Sequence, residues 1–140
     1  MMREIKFRAW DKKRKETFPV HELVINKFNG EPNTIKGYTD DEKDVWNVHG
    51  GHFMKYANEN RYVLMQYTGL NDKNGKEIYE GDIIRIFNNE LDEEESWVDE
   101  VIYHMGGFFS GDEDLLGNVH FRAKVIGNIY ENHELLGGEV

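Results

Sequence analysis

Over residues 3–10 apolar and polar positions alternate, with Ile5, Phe7 and Ala9 on one side and Lys6, Arg8 and Trp10 on the other. That is the period-two signature of a half-buried strand. The charged run Asp11-Lys12-Lys13-Arg14-Lys15 then reads as a hairpin tip, and residues 17–25 return with Phe18, Val20, Leu23, Val24 and Ile25. Pro19 has no N–H for a ladder, so the returning strand is expected at a sheet edge or starting after it.

The chain is organised around residues 62–87. Two apolar runs, 62–67 and 83–87, flank the densest turn chemistry in the sequence. Asp72-Lys73-Asn74-Gly75 suits a type I turn, and Asn74-Gly75 alone suits the centre of a type I′ turn. A second break, Glu80-Gly81-Asp82, precedes a β-branched run that fits a pleated, half-buried surface. The two runs are expected to fold back on each other.

Elsewhere the pattern is weaker. Residues 29–44 read as a long polar connection with a short strand at 34–38, and residues 45–48 and 52–56 flank a turn at His49-Gly50-Gly51. Residues 88–96 lack a periodic apolar face and read as an exposed, mobile loop. Alternation resumes over 97–104, Gly106-Gly107 offers a turn or bulge, Phe108-Phe109 a short apolar stop, and 111–114 an acidic loop. Residues 119–130 read as one long strand with Gly127 as a bulge or point of close approach. Asn132 is an N-cap candidate for one helical turn over 133–136. About eight or more short strands with little helix predict an all-β fold, either a small barrel or a strongly bent antiparallel sheet with long loops and a short C-terminal helical turn.

The 140-residue length predicts a single domain over residues 1–140. The absence of Cys removes disulfides, thiolate nucleophiles and cysteine-held zinc, which fits a reducing compartment. The opening MMREIKFRAW has no continuous apolar segment of the secretory kind, and no window approaches a membrane span, so a soluble cytoplasmic protein is expected. The net charge of -10 is unevenly distributed: residues 1–89 carry 15 Lys+Arg against 14 Asp+Glu, whereas residues 90–140 carry 2 against 13. Nonspecific nucleic-acid binding needs the opposite sign. The exception is residues 1–15, where Arg3, Lys6, Arg8, Lys12, Lys13, Arg14 and Lys15 oppose only Glu4 and Asp11.

Three blocks carry a resemblance. The N-terminal Arg3-Glu4-Ile5-Lys6-Phe7-Arg8-Ala9-Trp10-Asp11, the central residues 65–84 (MQYTGLNDKNGKEIYEGDII) and the terminal Val125-Ile126-Gly127-Asn128-Ile129-Tyr130-Glu131-Asn132 resemble the YopX family of phage and prophage proteins. The blocks occur in the family's order across nearly the whole chain; His133 stands where the family often has Pro. The resemblance implies a mostly β fold and a phage or prophage origin inside a bacterial host. It brings no catalytic residues with it.

Candidate chemistry is sparse. Asp72, Glu80 and Asp82, with Asp11 as a fourth, are the best catalytic material, since a hydrolase needs two carboxylates in different environments. Asp72 and Asp82 serve equally well as acceptors of backbone N–H groups in their turns. A calcium loop fails, because Leu70 and Gly81 would occupy positions that require acidic ligands. His49 and His52 lack an evident third metal ligand. No metal and no cofactor is expected. Trp10 and Arg8, on the polar side of their strand, and Lys12, Lys13 and Arg14 at the tip form a candidate partner-binding surface, because aromatics and Arg are enriched at interfaces. The expected function is a non-catalytic binding or self-assembly module that docks a protein partner or its own copies as a homo-oligomer. The alternatives are a nucleic-acid-binding small barrel using the basic N-terminal hairpin and a carboxylate-dependent hydrolase. No membrane role is expected.

Overall fold

A computed structural model describes residues 3–25, 32–38, 45–49, 62–89 and 92–137. The chain divides into two compact units, one of Lys6–Met65 and one of Met1–Ile5 with Gln66–Val140. Among the described residues both are antiparallel β, their sheets stay open without barrel closure, and the only helical pieces are short 3₁₀ turns. No helix among them is long and apolar enough to cross a membrane.

The Lys6–Met65 unit contains β1 (Phe7–Asp11), β2 (Glu16–Ile25), β3 (Pro32–Tyr38), β4 (Val45–His49) and the start of β5 (Tyr62–Asn71), ordered β4-β3-β2-β1-β5. Its core is Ala9, Phe18 and Ile35, with Val20, Leu23, Tyr62 and Leu64 packed around them. The Phe18 and Tyr62 rings meet edge-on at 6.1 Å, a favoured aromatic geometry. Contrary to the sequence expectation, β2 starts before Pro19 and lies inside the sheet. Pro19 is tolerated because it faces Arg8 of β1 in a stretch where pairing with β3 has not begun, that pairing starting at Val20. The strand expected at 52–56 lies outside the described residues.

The second unit holds the rest of β5, β6 (Glu77–Tyr79), β7 (Asp82–Asn89), β8 (Asp92–His104), β9 (Gly107–Ser110), β10 (Asp114–Leu115) and β11 (Ala123–Asn128). Five of these form a sheet ordered β10-β9-β8-β7-β11. Its core is Ile78, Ile84, Ile86, Val101, Leu116, Val119, Ala123 and Val125, to which Leu70, Trp97 and Phe108 add partly buried surface. The apolar run at 83–87 therefore becomes a central strand buried on both faces. It pairs with β8 and β11, while the turn after β5 leads only into the short β6.

Two further expectations change. Residues 92–96 extend β8, with Asn89 opposite Asp92 and Phe87 opposite Ser96, so pairing to β7 makes a strand of an acidic run that has no apolar rhythm of its own. The expected strand over 119–130 begins only at Ala123; before it come two 3₁₀ turns, Leu116–Asn118 and His120–Arg122. Gly127 does mark a register shift in β11. The last helical turn is 3₁₀, over His133–Leu136, and the Asn132 side chain does not cap it.

Candidate functional site

The basic tip is built by one carboxylate. Asp11, fully buried at the end of β1, accepts the N–H of Lys13 at 2.9 Å and of Arg14 at 3.2 Å on Oδ1, and its carbonyl accepts the N–H of Lys15 at 2.8 Å. The short acidic side chain supplies the turn's hydrogen bonds locally. Lys15 closes the loop in a left-handed conformation, φ 60°. Lys12, Lys13, Arg14 and Lys15 all stand exposed, with Arg14 3.4 Å from Glu16 in a surface ion pair. Trp10, expected on the outer face, is instead 6% exposed, and Arg8 is half buried. β1 lies between β2 and β5, and the adjacent residues Ala9, Trp10 and Asp11 are all buried, so β1 has no free face at this end. The exposed part of the sequence-derived surface is thus Lys12, Lys13 and Arg14.

The three carboxylates raised as hydrolase candidates lie in two turns, each on backbone N–H groups. Asp72 Oδ1 accepts from Asn74 at 2.8 Å and Lys76 at 2.9 Å, and its Oδ2 accepts from Val125 at 2.9 Å. The Gly75 N–H reaches the Asp72 carbonyl at 3.0 Å, and Gly75 takes the positive φ of 83°. This is the type I alternative: Asn74 keeps the ordinary negative φ that a type I′ turn would forbid. Asp82, 1% exposed, accepts the Tyr79 N–H on Oδ2 at 2.7 Å. Glu80 Oε1 accepts the Gln66 N–H at 2.9 Å. Glu80 and Asp82 share one turn around Gly81, whose N–H bonds to the Val101 carbonyl and whose carbonyl accepts the Ile129 N–H.

A cleft that the sequence reading left out opens beside β8 and β9. It has a volume of about 290 Å³ and is lined by Trp97, Asp99 and residues 110–114. Asp99 Oδ2 accepts from Trp97 Nε1 at 3.1 Å and from Ser110 Oγ at 2.9 Å. A Ser–Asp pair of this kind lacks the imidazole that would take the hydroxyl proton. His104 does not supply it: by strand alternation it lies on the opposite face of β8, where its ring meets Phe109 at 5.4 Å. No sequence signal pairs Asp99 with Ser110, because the register that sets Ser110 opposite Val101 arises only when β8 and β9 pair. On the face away from this cleft, partial burial raises the pKa of Glu100, and the nearby His133 works in the other direction. Among the described residues no group of three or more His, Asp or Glu side chains is placed to hold a metal ion. His49 lies in β4, and His52 falls outside the described residues.

Compared with protein families, residues 6–137 match that of the YopX protein. The chain belongs to the YopX family. Among solved structures of similar fold, protein EF1440 from Enterococcus faecalis shares 34% identity, with 96% of this chain and 99% of that one covered and a TM-score of 0.68. The YopX protein of Bacillus subtilis shares 29% identity, with 99% and 100% covered and a TM-score of 0.63. A search of curated proteins found no match. The central YopX block, residues 65–84, corresponds to the turns that Asp72 and Asp82 build. The terminal block contains Asn128, whose Oδ1 accepts the N–H of Tyr130 at 3.0 Å and of Glu131 at 2.9 Å. In this member the central and terminal blocks each contain turns held by an Asp or Asn side chain between strands.

Proposed function

We propose that the chain is a non-catalytic binding module, an accessory protein of phage or prophage origin working in the bacterial cytoplasm. Its contact is the basic tip between β1 and β2, and its partner is an acidic protein surface, in the first place that of a second copy. The observation that supports this reading is the tip itself, where Asp11 fixes the loop and Lys12, Lys13, Arg14 and Lys15 project into solvent. A loop ordered in advance loses little conformational entropy on docking. The complementary charge is on the same chain, in a net charge of -10 concentrated after residue 89 and exposed at Asp112 and Glu113. Such complementarity governs encounter rate and orientation. A tip-to-acid contact is heterologous, so copies joined by it form rings or open chains. Asp72, Glu80 and Asp82 act here as turn formers.

Light scattering at low and high salt tests the reading. Wild type is expected to associate at low salt and dissociate at high salt, and Lys12→Glu with Lys13→Glu to remain monomeric in both. A wild-type monomer under both conditions would remove self-association.

A further inference from the structure

Met105 and Tyr103 stand exposed, 84% and 61%, at the end of the β8–β9 hairpin. Tyr103 lies opposite Phe108, with the two rings 5.4 Å apart, and strand alternation puts both on the face of the sheet that carries Asp99 and Val101. Met105 occupies the turn at φ 50°, a conformation that non-glycine residues rarely keep. Retained strain of this kind clusters at ligand-contacting sites, and Met adapts its shape to irregular apolar partners.

The same face carries acid. Asp99 precedes Tyr103 on β8, and Asp114, opposite Ser110, borders the cleft together with Asp112 and Glu113. At ~3.3 Å per residue, Asp99 is about 13 Å along the strand from Tyr103, so a segment of several residues is needed to reach both. Among the described residues no cation pairs with any of these four carboxylates. Residues 86–121 hold ten Asp or Glu and no Lys or Arg. This one-sided charge selects the partner. It repels the anionic headgroups of a lipid surface and the phosphates of nucleic acid. Two copies of this hairpin end set against each other would likewise bring like charges together.

We propose that this face docks a basic amphipathic peptide segment of another protein, with an apolar side chain resting on Tyr103, Phe108 and Met105 and a Lys or Arg entering the cleft at Asp99 and Asp114. The exposed aromatic and Met supply the apolar contact, and the unpaired carboxylates orient the segment and speed its encounter. The contact does not use the basic tip, and it holds whether or not the tip of a second copy also meets Asp112 and Glu113.

The test is fluorescence anisotropy with the full chain and a labelled peptide of leucine and lysine. Binding is expected at low salt, and oligolysine or a leucine–glutamate peptide of the same length should bind more weakly, because each lacks one of the two contacts. Tyr103→Ser should weaken binding at least about fivefold. Met105→Asn should weaken it too, although Asn suits the positive φ of the turn, so that loss is not one of folding. Asp112→Lys with Glu113→Lys should weaken it and flatten its salt dependence. Leu135→Ser and Glu134→Lys lie in the 3₁₀ turn whose His133 stands near Glu100, on the opposite face, and should leave binding unchanged. Absence of binding at low salt, oligolysine or the leucine–glutamate peptide binding as tightly as the leucine–lysine one, wild-type binding by the Tyr103 and Met105 variants, or an equal loss in the two controls would each overturn the proposal.

Discussion

The Asp72 carboxylate accepts the backbone N–H of Val125 at 2.9 Å, across 53 positions of sequence. β11 is an edge strand, and its outward N–H at Val125 and carbonyl at Ala123 are taken by Asp72 and by the N–H of Lys73. One turn thus blunts an edge that would otherwise offer unpaired groups to another strand. Asp72→Ala removes acceptors for three N–H groups, one of them buried, and should lower stability by about 2–4 kcal/mol in urea unfolding. Asp72→Asn, which retains a single acceptor oxygen, should cost about half as much. A loss below about 0.5 kcal/mol for the Ala variant would contradict the assignment.

The turn between β8 and β9 has Met105 and Gly106 at its centre, both with positive φ, 50° and 78°. That is type I′ geometry, in which the first position favours Asn. Met105 is 84% exposed and gains no burial there. Met105→Asn should therefore stabilise the protein by about 0.5–1 kcal/mol, measured as a higher urea midpoint with an unchanged slope.

A Cβ added at Gly127 would sit 2.5 Å from Asn132 Oδ1, and that oxygen already accepts the Asn128 N–H at 3.2 Å. Gly127→Ala should cost about 1–3 kcal/mol through overpacking. Asn132→Ala in the same chain removes the obstructing oxygen, so the double variant should lose less than the sum of the two single losses. A double-mutant cycle measures this, and strict additivity would count against the contact.

Glu100 titrates above its ordinary value of 4.5 in the fold because burial disfavours the carboxylate, with His133 opposing. The folded state then holds the proton more tightly than the unfolded one, so this residue's contribution to stability falls as pH rises through the interval above 4.5. Glu100→Gln should raise the thermal midpoint at pH 7, and the gain should shrink toward zero below pH 4.5. A gain that grows on acidification would reverse the sign. His133→Gln, which removes the neighbour that opposes the shift, is the control.

Much of the fold was legible locally. The alternation over residues 3–10 locates β1, although only Phe7–Asp11 forms it and Ile5 is 62% exposed; the Asp72–Gly75 tetrapeptide predicts a reversing turn and the basic run after Asp11 a hairpin tip, because each depends on hydrogen bonds or side-chain directions only a few residues apart. The Met105 turn was legible only in part. Gly106 marked the break, but nothing in Met announces positive φ.

What the sequence by itself determined is the all-β class, the positions of its main turns and the uneven placing of charge, all set by short-range backbone chemistry and composition. Tertiary structure decided the rest. Pairing to β7 turned the acidic residues 92–96 into strand, β1 became enclosed at Trp10, and cations distant in sequence came together beside Phe87. The physical reason is that strand partners are chosen by long-range ladder bonds and shared burial, and one chain read in order carries no record of which strand will lie beside which.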